Sequence, residues 1–183
     1  PPYVRELRAR LPARIALVDA PMSGAEVAAA EARLSWMLGG APADLERLEP
    51  ALRATGTRRR RMGDLGAGMT AKVMNNLVAA ASTAATRMAL DWGEANGLDP
   101  AALLALMHDS SGQTWFGTQF RAIEFACDGH APDNTVGILV KDVESALAAA
   151  PAGADPGLAP ALEAALAALA PRAAVDREGE APA

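Results

Sequence analysis

The stretch GAGMTAKVMNN, residues 66–76, marks a change of fold class within the chain. Before it, short apolar runs alternate with helix-forming segments and end at glycine or proline. After it, residues 69–96 contain no proline and one glycine, which predicts a long helix with Gly97 as its C-terminal cap. The glycines at 63–68 therefore separate an α/β part from an all-helical part.

The residues before this stretch predict alternating helices and strands. Short apolar runs closed by proline or glycine are typical of buried strands, and leucines three and four residues apart are typical of one helix face. The predicted elements are a helix to about Leu11, strands over 14–21, 33–40 and 58–62, a loop or short helix over 24–32, and a helix from its N-cap Asp44 to about Ala54.

The residues after the long helix predict further helices. Asp99 is a suitable N-cap, and Pro100 suits the first position of the helix that follows. Other helices are expected over 115–127, 136–150 and 155–170. Residues 171–183 have no apolar periodicity and are expected to form a disordered tail. The predicted organisation is thus an α/β part over 1–67, an all-helical domain over 68–170, and the tail.

Composition narrows the classes of protein to consider. The 183 residues suffice for one domain or parts of two, and the net charge of −5 argues against general nucleic-acid binding. The four arginines at 58–61 are therefore expected to form a solvated strand or an ion-pair network. No apolar run is long enough for a signal core or a membrane span, and the single Cys127 suits a reducing compartment, so a cytoplasmic location is expected. His108 and His130 have no potential ligands at metal-binding spacing, so no metal is expected.

Lys72 is the first candidate for chemistry. It is one of two lysines among 17 basic residues, and an amine can give and take a proton where a guanidinium stays protonated. The first turn of a helix also favours an anionic ligand through its free N–H groups. Asn76 is four residues further and shares the face of Lys72. On spacing alone, an ordinary solvated lysine is the favoured alternative.

The loop DAPMSG, residues 19–24, is the second candidate. It follows a predicted strand, and ligands of open α/β folds bind beyond the carboxyl ends of strands. The Ser23 hydroxyl and the N–H groups near Gly24 could bind a carboxylate. Taken alone, a tight turn is the favoured alternative.

Six stretches in order carry a resemblance to a known family. VDAPMSG, RLSWMLGG, GAGMTAKVMNN, GLDP, SSGQTW and VGILVKDVESA resemble the β-hydroxyacid dehydrogenases, among them 3-hydroxyisobutyrate dehydrogenase, over about residues 13–150. The resemblance implies the end of a Rossmann-like nucleotide-binding domain over 1–67, then a long interdomain helix and an all-α domain. It implies NAD or NADP as cofactor, a small carboxylate-bearing substrate, and a homodimer or higher homo-oligomer formed through the helical domain.

The resemblance also implies a role for each matching residue. Lys72 would be the proton donor and acceptor, and Asn76 would contact substrate. Ser23 and Gly24 would hold the substrate carboxylate, while Lys141 and Asp142 of the late helix would approach the cofactor.

The sequence also departs from the family. Met22 and Ala25 replace a valine and a glycine of the substrate loop, and no Gly-x-Gly-x-x-Gly follows a first strand. The first hypothesis is the carboxyl-terminal part of an NAD(P)-dependent dehydrogenase acting on a 3-hydroxy acid or its semialdehyde, in a truncated form. The alternative is a catalytically incomplete helical module for dimerisation or ligand binding. An imine-reducing relative is not favoured, because such proteins usually carry another residue where Lys72 stands.

Overall fold

The computed structural model describes residues 2–175, except for the side chains of 25–27. The chain divides into two compact units, one ending at Asn75 and the other beginning at Asn76. The division falls inside a single long helix, eight residues after the predicted domain boundary at 67/68.

The first unit holds a three-stranded sheet. Its elements are α1 (Pro2–Arg10), β1 (Met22–Ser23), α2 (Ala25–Ala30), β2 (Leu34–Gly39), α3 (Pro42–Thr55), β3 (Gly56–Gly63) and the start of α4 (Ala67–Ala95). The strands lie in the order β1-β2-β3, with β1 antiparallel and β3 parallel to β2. Helix α3 packs Leu45 and Leu52 against Leu38 of the central strand. The α/β fold class expected for this part is confirmed.

The strand expected over 14–21 is the main error in this unit. Only Asp19 makes a bridge there, to Gly39, and the short β1 begins later, at Met22. The guanidinium of Arg8 donates to the carbonyl oxygens of Leu11 and Pro12, at 2.8 and 2.9 Å, and also to that of Ile15. Arg8 thus binds the carbonyls just before the expected strand and that of Ile15 near its start, where the chain forms turns instead of a strand.

Helix α3 also begins differently from the prediction. It begins at Pro42, after the extended residue Ala41, and Asp44 lies in the first turn instead of at the N-cap. Proline at the first helical position needs no N–H partner and has a φ that suits the helix. The Asp44 carboxylate is therefore not needed as the cap.

Three of the four arginines of β3 are exposed and Arg59 is partly buried, and the strand carries the expected ion pairs. Arg59 lies 3.1 Å from Glu49 of α3, and Arg61 lies 3.4 Å from Asp64. A hydrogen bond from Arg53 lowers the pKa of the Glu49 carboxyl. Charged side chains on an edge strand also discourage pairing with other chains.

The second unit is helical, as predicted. After α4 come α5 (Pro100–His108), α6 (Trp115–Thr118), a 3₁₀ turn (Phe120–Ala122), α7 (Thr135–Ala149) and α8 (Ala159–Ala167). Gly97 ends α4 with φ +81°, and the Asp99 carboxylate accepts from the Ala101 N–H, 3.1 Å away. Both caps are confirmed. Among the described helices, none has the length and apolar character of a membrane span.

The helix expected over 115–127 is wrong, because that segment is broken into short pieces. Phe116 has ring-centroid distances of 5.5 Å to Phe120 and 6.0 Å to Phe125. In one continuous helix, residues nine positions apart point about 180° away from each other. Packing Phe125 against Phe116 therefore requires the chain to turn between them.

The end of the described chain is more ordered than predicted. Helix α8 ends at Ala167, three residues short of the expected end, and residues 171–175 carry no helix or strand. Nevertheless Val175 is buried, and Arg172 pairs with Asp91, at 3.0 Å, and with Glu94. The expected disorder is wrong for 171–175, because these contacts hold that segment to the helices. The rest of the predicted tail, 176–183, lies outside the described residues.

Candidate active site

The start of α4 is built around a buried carboxylate. Asp19 is 5% exposed, and its two oxygens accept from the backbone N–H groups of Gly66, at 2.6 Å, and Met69, at 2.7 Å. A carboxylate in this position satisfies two of the N–H groups that a helix start leaves without partners, and it complements the helix dipole. The expectation of free N–H groups for an anionic ligand at this turn is therefore wrong for Gly66 and Met69, because Asp19 already binds there.

Lys72 is the sixth residue of α4, three residues after Met69. Its side chain is half-buried, and Asn76 follows it by four residues, also half-buried, whereas Asn75 is exposed. Further along, Thr83, Arg87 and Leu90 continue the same helix face and are buried. Lys72 and Asn76 therefore lie on the face of α4 that is buried further along the helix, as their spacing predicts.

Asn76 makes a direct contact with α7. Its amide nitrogen donates to a carboxylate oxygen of Asp142 at 2.9 Å. Sequence reasoning gave these two residues different expected roles, one toward substrate and one toward cofactor. The bond leaves the amide oxygen of Asn76 as an oriented acceptor, because the donating end of the amide is fixed.

Lys141 differs from its neighbour Asp142. Its side chain is exposed, and no ion pair to it occurs in the part of the chain that the structure describes. Its carbonyl oxygen accepts from the Ser145 hydroxyl at 2.8 Å, within α7. The ammonium group is therefore available to an anionic ligand.

Ser23 and Gly24 form the turn from β1 into α2. Ser23 is half-buried and pairs with Ser35 of the central strand. Gly24 has φ +136°, and a Cβ there would lie 2.5 Å from the Cβ of Ala28. The positive φ and the short distance both exclude a residue larger than glycine at position 24. Ser23 and Gly24 lie in the same unit as Lys72.

Two residues escaped the sequence reasoning. Asp19 is part of the predicted loop 19–24 and has no predicted role of its own, although a carboxylate at the end of the apolar run 15–20 signals a buried partner. Arg87 gave no signal, because one arginine among many on a helix normally faces solvent. It is 1% exposed and donates to the carbonyl oxygens of Ala126, Asp128 and Ala170. Across the described residues, no group of His, Cys, Asp or Glu is arranged to hold a metal ion.

Comparison with known families gives two adjoining matches. The family described as the NAD-binding region of NADP-dependent 3-hydroxyisobutyrate dehydrogenase matches residues 66–181. The NAD binding domain of 6-phosphogluconate dehydrogenase matches residues 4–66. The two matches meet at Gly66, where the character of the sequence changes.

Individual relatives agree with these matches. A 3-hydroxyisobutyrate dehydrogenase and an NAD-dependent L-serine dehydrogenase, both of Pseudomonas aeruginosa, are 41% and 40% identical over 101 residues. Each alignment covers 55% of this chain and 34% of the relative. This chain thus spans about a third of the length of these curated relatives.

Solved structures share the fold. The 3-hydroxyisobutyrate dehydrogenase of Mycobacterium tuberculosis, solved with L-serine, matches with a TM-score of 0.67 and 28% identity, over 84% of this chain and 57% of that one. The enzyme of the same name from Salmonella typhimurium matches with a TM-score of 0.69 and 24% identity, over 89% of this chain and 56% of that one.

Proposed function

We propose a function that follows from the family of this chain. The chain belongs to the 3-hydroxyisobutyrate dehydrogenase family of β-hydroxyacid dehydrogenases. It supplies the substrate-binding and proton-transfer part of an NAD(P)-dependent oxidoreductase. The observation that carries the proposal is the family match over 66–181, which includes Lys72, Asn76, Lys141 and Asp142. The substrate class is a 3-hydroxy acid or its semialdehyde. L-Serine and 3-hydroxyisobutyrate, in the names of two relatives, are both 3-hydroxy acids.

The nicotinamide, when bound, accepts or returns the hydride at the carbinol carbon. In the oxidation direction, the Lys72 amine takes the proton of the carbinol oxygen, and in reduction it returns that proton. The amine has to reach within about 3 Å of that oxygen. The oxygen of the Asn76 amide accepts a hydrogen bond from the substrate, and Asp142 keeps that amide in one orientation. Ser23 and Gly24 hold the substrate carboxylate.

Two features of the chain bear on how well it fits a dinucleotide. The exposed ammonium of Lys141 suits an anionic cofactor. By contrast, the 183 residues contain no Gly-x-Gly-x-x-Gly after a first strand, so the usual cradle for the diphosphate is not among them. We therefore propose that this chain contributes to the nicotinamide side of the cofactor site.

A cofactor titration tests the function directly. NADH and NADPH are titrated into the 183-residue chain and into the product of the complete reading frame that encodes it to measure binding, and turnover is measured with NAD⁺ or NADP⁺ and with 3-hydroxyisobutyrate or L-serine as the substrate. We expect micromolar binding and substrate-dependent formation of reduced nicotinamide, followed by absorbance. A folded protein that binds neither dinucleotide in either form would favour the alternative, a helical module without turnover.

We propose that the oligomer is a homodimer or higher homo-oligomer that forms through the helical unit. Support comes from the outward face of α4, where Val78, Met88 and Trp92 are 69%, 45% and 65% exposed and Ala85 lies between them. Tryptophan and methionine are enriched at protein interfaces, and a two-fold axis would place this face against the same face of a second copy.

Sedimentation at micromolar concentration should give at least a dimer, and Trp92→Ser should shift the protein toward the monomer. An unchanged sedimentation coefficient in that variant would contradict this interface.

The proposed location is the cytoplasm. Its support is Cys127, the single cysteine, which suits a reducing compartment. Some curated relatives are described as mitochondrial, such as the enzyme of Rattus norvegicus, which is 32% identical over 117 residues. Cell fractionation followed by immunoblotting distinguishes the two locations.

A further inference from the structure

We infer that Asp19 is a positioning residue for Lys72, an inference that rests on the proposed function. Asp19 makes no proposed contact with substrate. Its buried carboxylate fixes the backbone of the first turn of α4, and that turn determines where the Lys72 amine lies.

The hydrogen bonds of Asp19 connect two parts of the first unit, the start of α4 and the end of β2, to the loop 19–24. Its side chain accepts from Gly66 and Met69 at the start of α4, at 2.6 and 2.7 Å. Its backbone exchanges two hydrogen bonds with Gly39 at the end of β2, at 3.0 and 2.8 Å. Ser23 of the proposed carboxylate loop follows it by four residues. One residue therefore joins the substrate loop, the central strand and the helix that carries Lys72.

The glycines around Asp19 leave room for its carboxylate. A Cβ on Gly39 would lie 2.3 Å from one carboxylate oxygen, and a Cβ on Gly68 would lie 2.9 Å from the other. Neither glycine has a positive φ, so their backbone conformations are open to other residues. These two positions require glycine because a Cβ would clash with its neighbours, and the Asp19 carboxylate is one of those neighbours.

The arrangement explains why a buried charge is kept here. A carboxylate is costly to bury unless hydrogen bonds compensate, and two N–H donors at a helix start do so. Residues that hold a catalytic group in place have large effects on rate, because a displacement of about 1 Å can cost about 10²-fold in turnover. Met69 precedes Lys72 by three residues, less than one helical turn.

The main test is Asp19→Asn in the product of the complete reading frame. An asparagine side chain has nearly the same volume but only one acceptor oxygen, whereas the N–H groups of Gly66 and Met69 each need one. We therefore expect the first turn of α4 to loosen. We expect kcat per folded molecule to fall about 10²-fold, with the Kd for the dinucleotide within about twofold. The matched control is Asp64→Asn, the same change at a side chain that is 98% exposed, which should leave kcat unchanged.

Action through Lys72 is tested by combining variants. In a Lys72→Ala background, Asp19→Asn should cost nothing further, because the group that it positions is gone. A purely structural role predicts instead that the two losses multiply, and that result would overturn the inference. Normal kcat in Asp19→Asn, with turnover abolished in Lys72→Ala, would overturn this inference alone. Normal turnover in Lys72→Ala would overturn the proposed function, and the inference with it.

A second variant covers poor folding of Asp19→Asn. Gly39→Ala keeps every charge but puts a methyl group where a carboxylate oxygen now lies. It should lower kcat in the same way and speed amide hydrogen exchange at Gly66 and Met69, whereas Gly112→Ala, in the other unit, should do neither. Unchanged exchange at both amides in Gly39→Ala would also overturn the inference.

Discussion

Replacing Lys72 by alanine in the product of the complete reading frame is expected to lower kcat by about 10²–10⁴-fold, the usual contribution of a general acid–base group. The loss is expected because no other amine is proposed to exchange the proton of the carbinol oxygen. The Kd of the dinucleotide should change by less than about twofold, because Lys72 is proposed to contact substrate only. Steady-state kinetics and a fluorescence titration of NADPH measure the two quantities.

The control for this experiment is Lys72→Arg. A guanidinium keeps the positive charge but stays protonated, so it cannot return and accept a proton in each cycle. We expect this variant to be as slow as Lys72→Ala. If Lys72→Arg recovers turnover, the residue supplies charge and does not transfer the proton. Near-normal turnover in Lys72→Ala would refute its role altogether.

Replacing Arg87 by methionine is expected to destabilise the helical unit by about 2–4 kcal/mol, since a buried carbonyl left unpaired costs about 1–3 kcal/mol and a partly buried one costs less. Three carbonyl groups, of Ala126, Asp128 and Ala170, would lose their donor. Burial lowers the pKa of the Arg87 guanidinium, and the nearby Asp91 carboxylate opposes that effect. The guanidinium stays charged at neutral pH. Urea unfolding of the 183-residue chain, followed by circular dichroism, measures the loss.

Arg60 of β3 provides the matched control, because its side chain is exposed. Arg60→Met makes the same chemical change and should alter the free energy of unfolding by less than about 0.5 kcal/mol. Equal stability of Arg87→Met and the unsubstituted chain would show that the three carbonyls find other donors. In that case Arg87 would not be what holds the 126–128 loop and Ala170 to α4.

Local signals were enough to predict much of the fold. Asp99 followed by Pro100 predicted the start of α5, and Gly97 predicted the end of α4, because caps depend on backbone groups only a few residues away. The motif at 66–76 placed Lys72 near the start of a long helix for the same reason. These features hold whatever the rest of the chain does.

Predictions failed where side-chain hydrogen bonds or packing, and not the local pattern, decide the path of the backbone. Arg8 binds the carbonyls of Leu11, Pro12 and Ile15, just before and at the start of the expected strand over 14–21. The packing of three phenylalanine rings breaks the expected helix over 115–127. The contact between Asn76 and Asp142 joins residues 66 positions apart. No local pattern contains such information.

By itself, the sequence determined the change from α/β to helical structure at the glycines 63–68, the positions of the caps, and the identity of the residues available for proton transfer. Only the tertiary structure decided that Asp19 caps α4 and that Arg87 is buried among carbonyl groups. The physical reason is that caps and helix faces depend on neighbours within a few residues. A buried charge is stable only where the fold brings partners from distant parts of the chain to it.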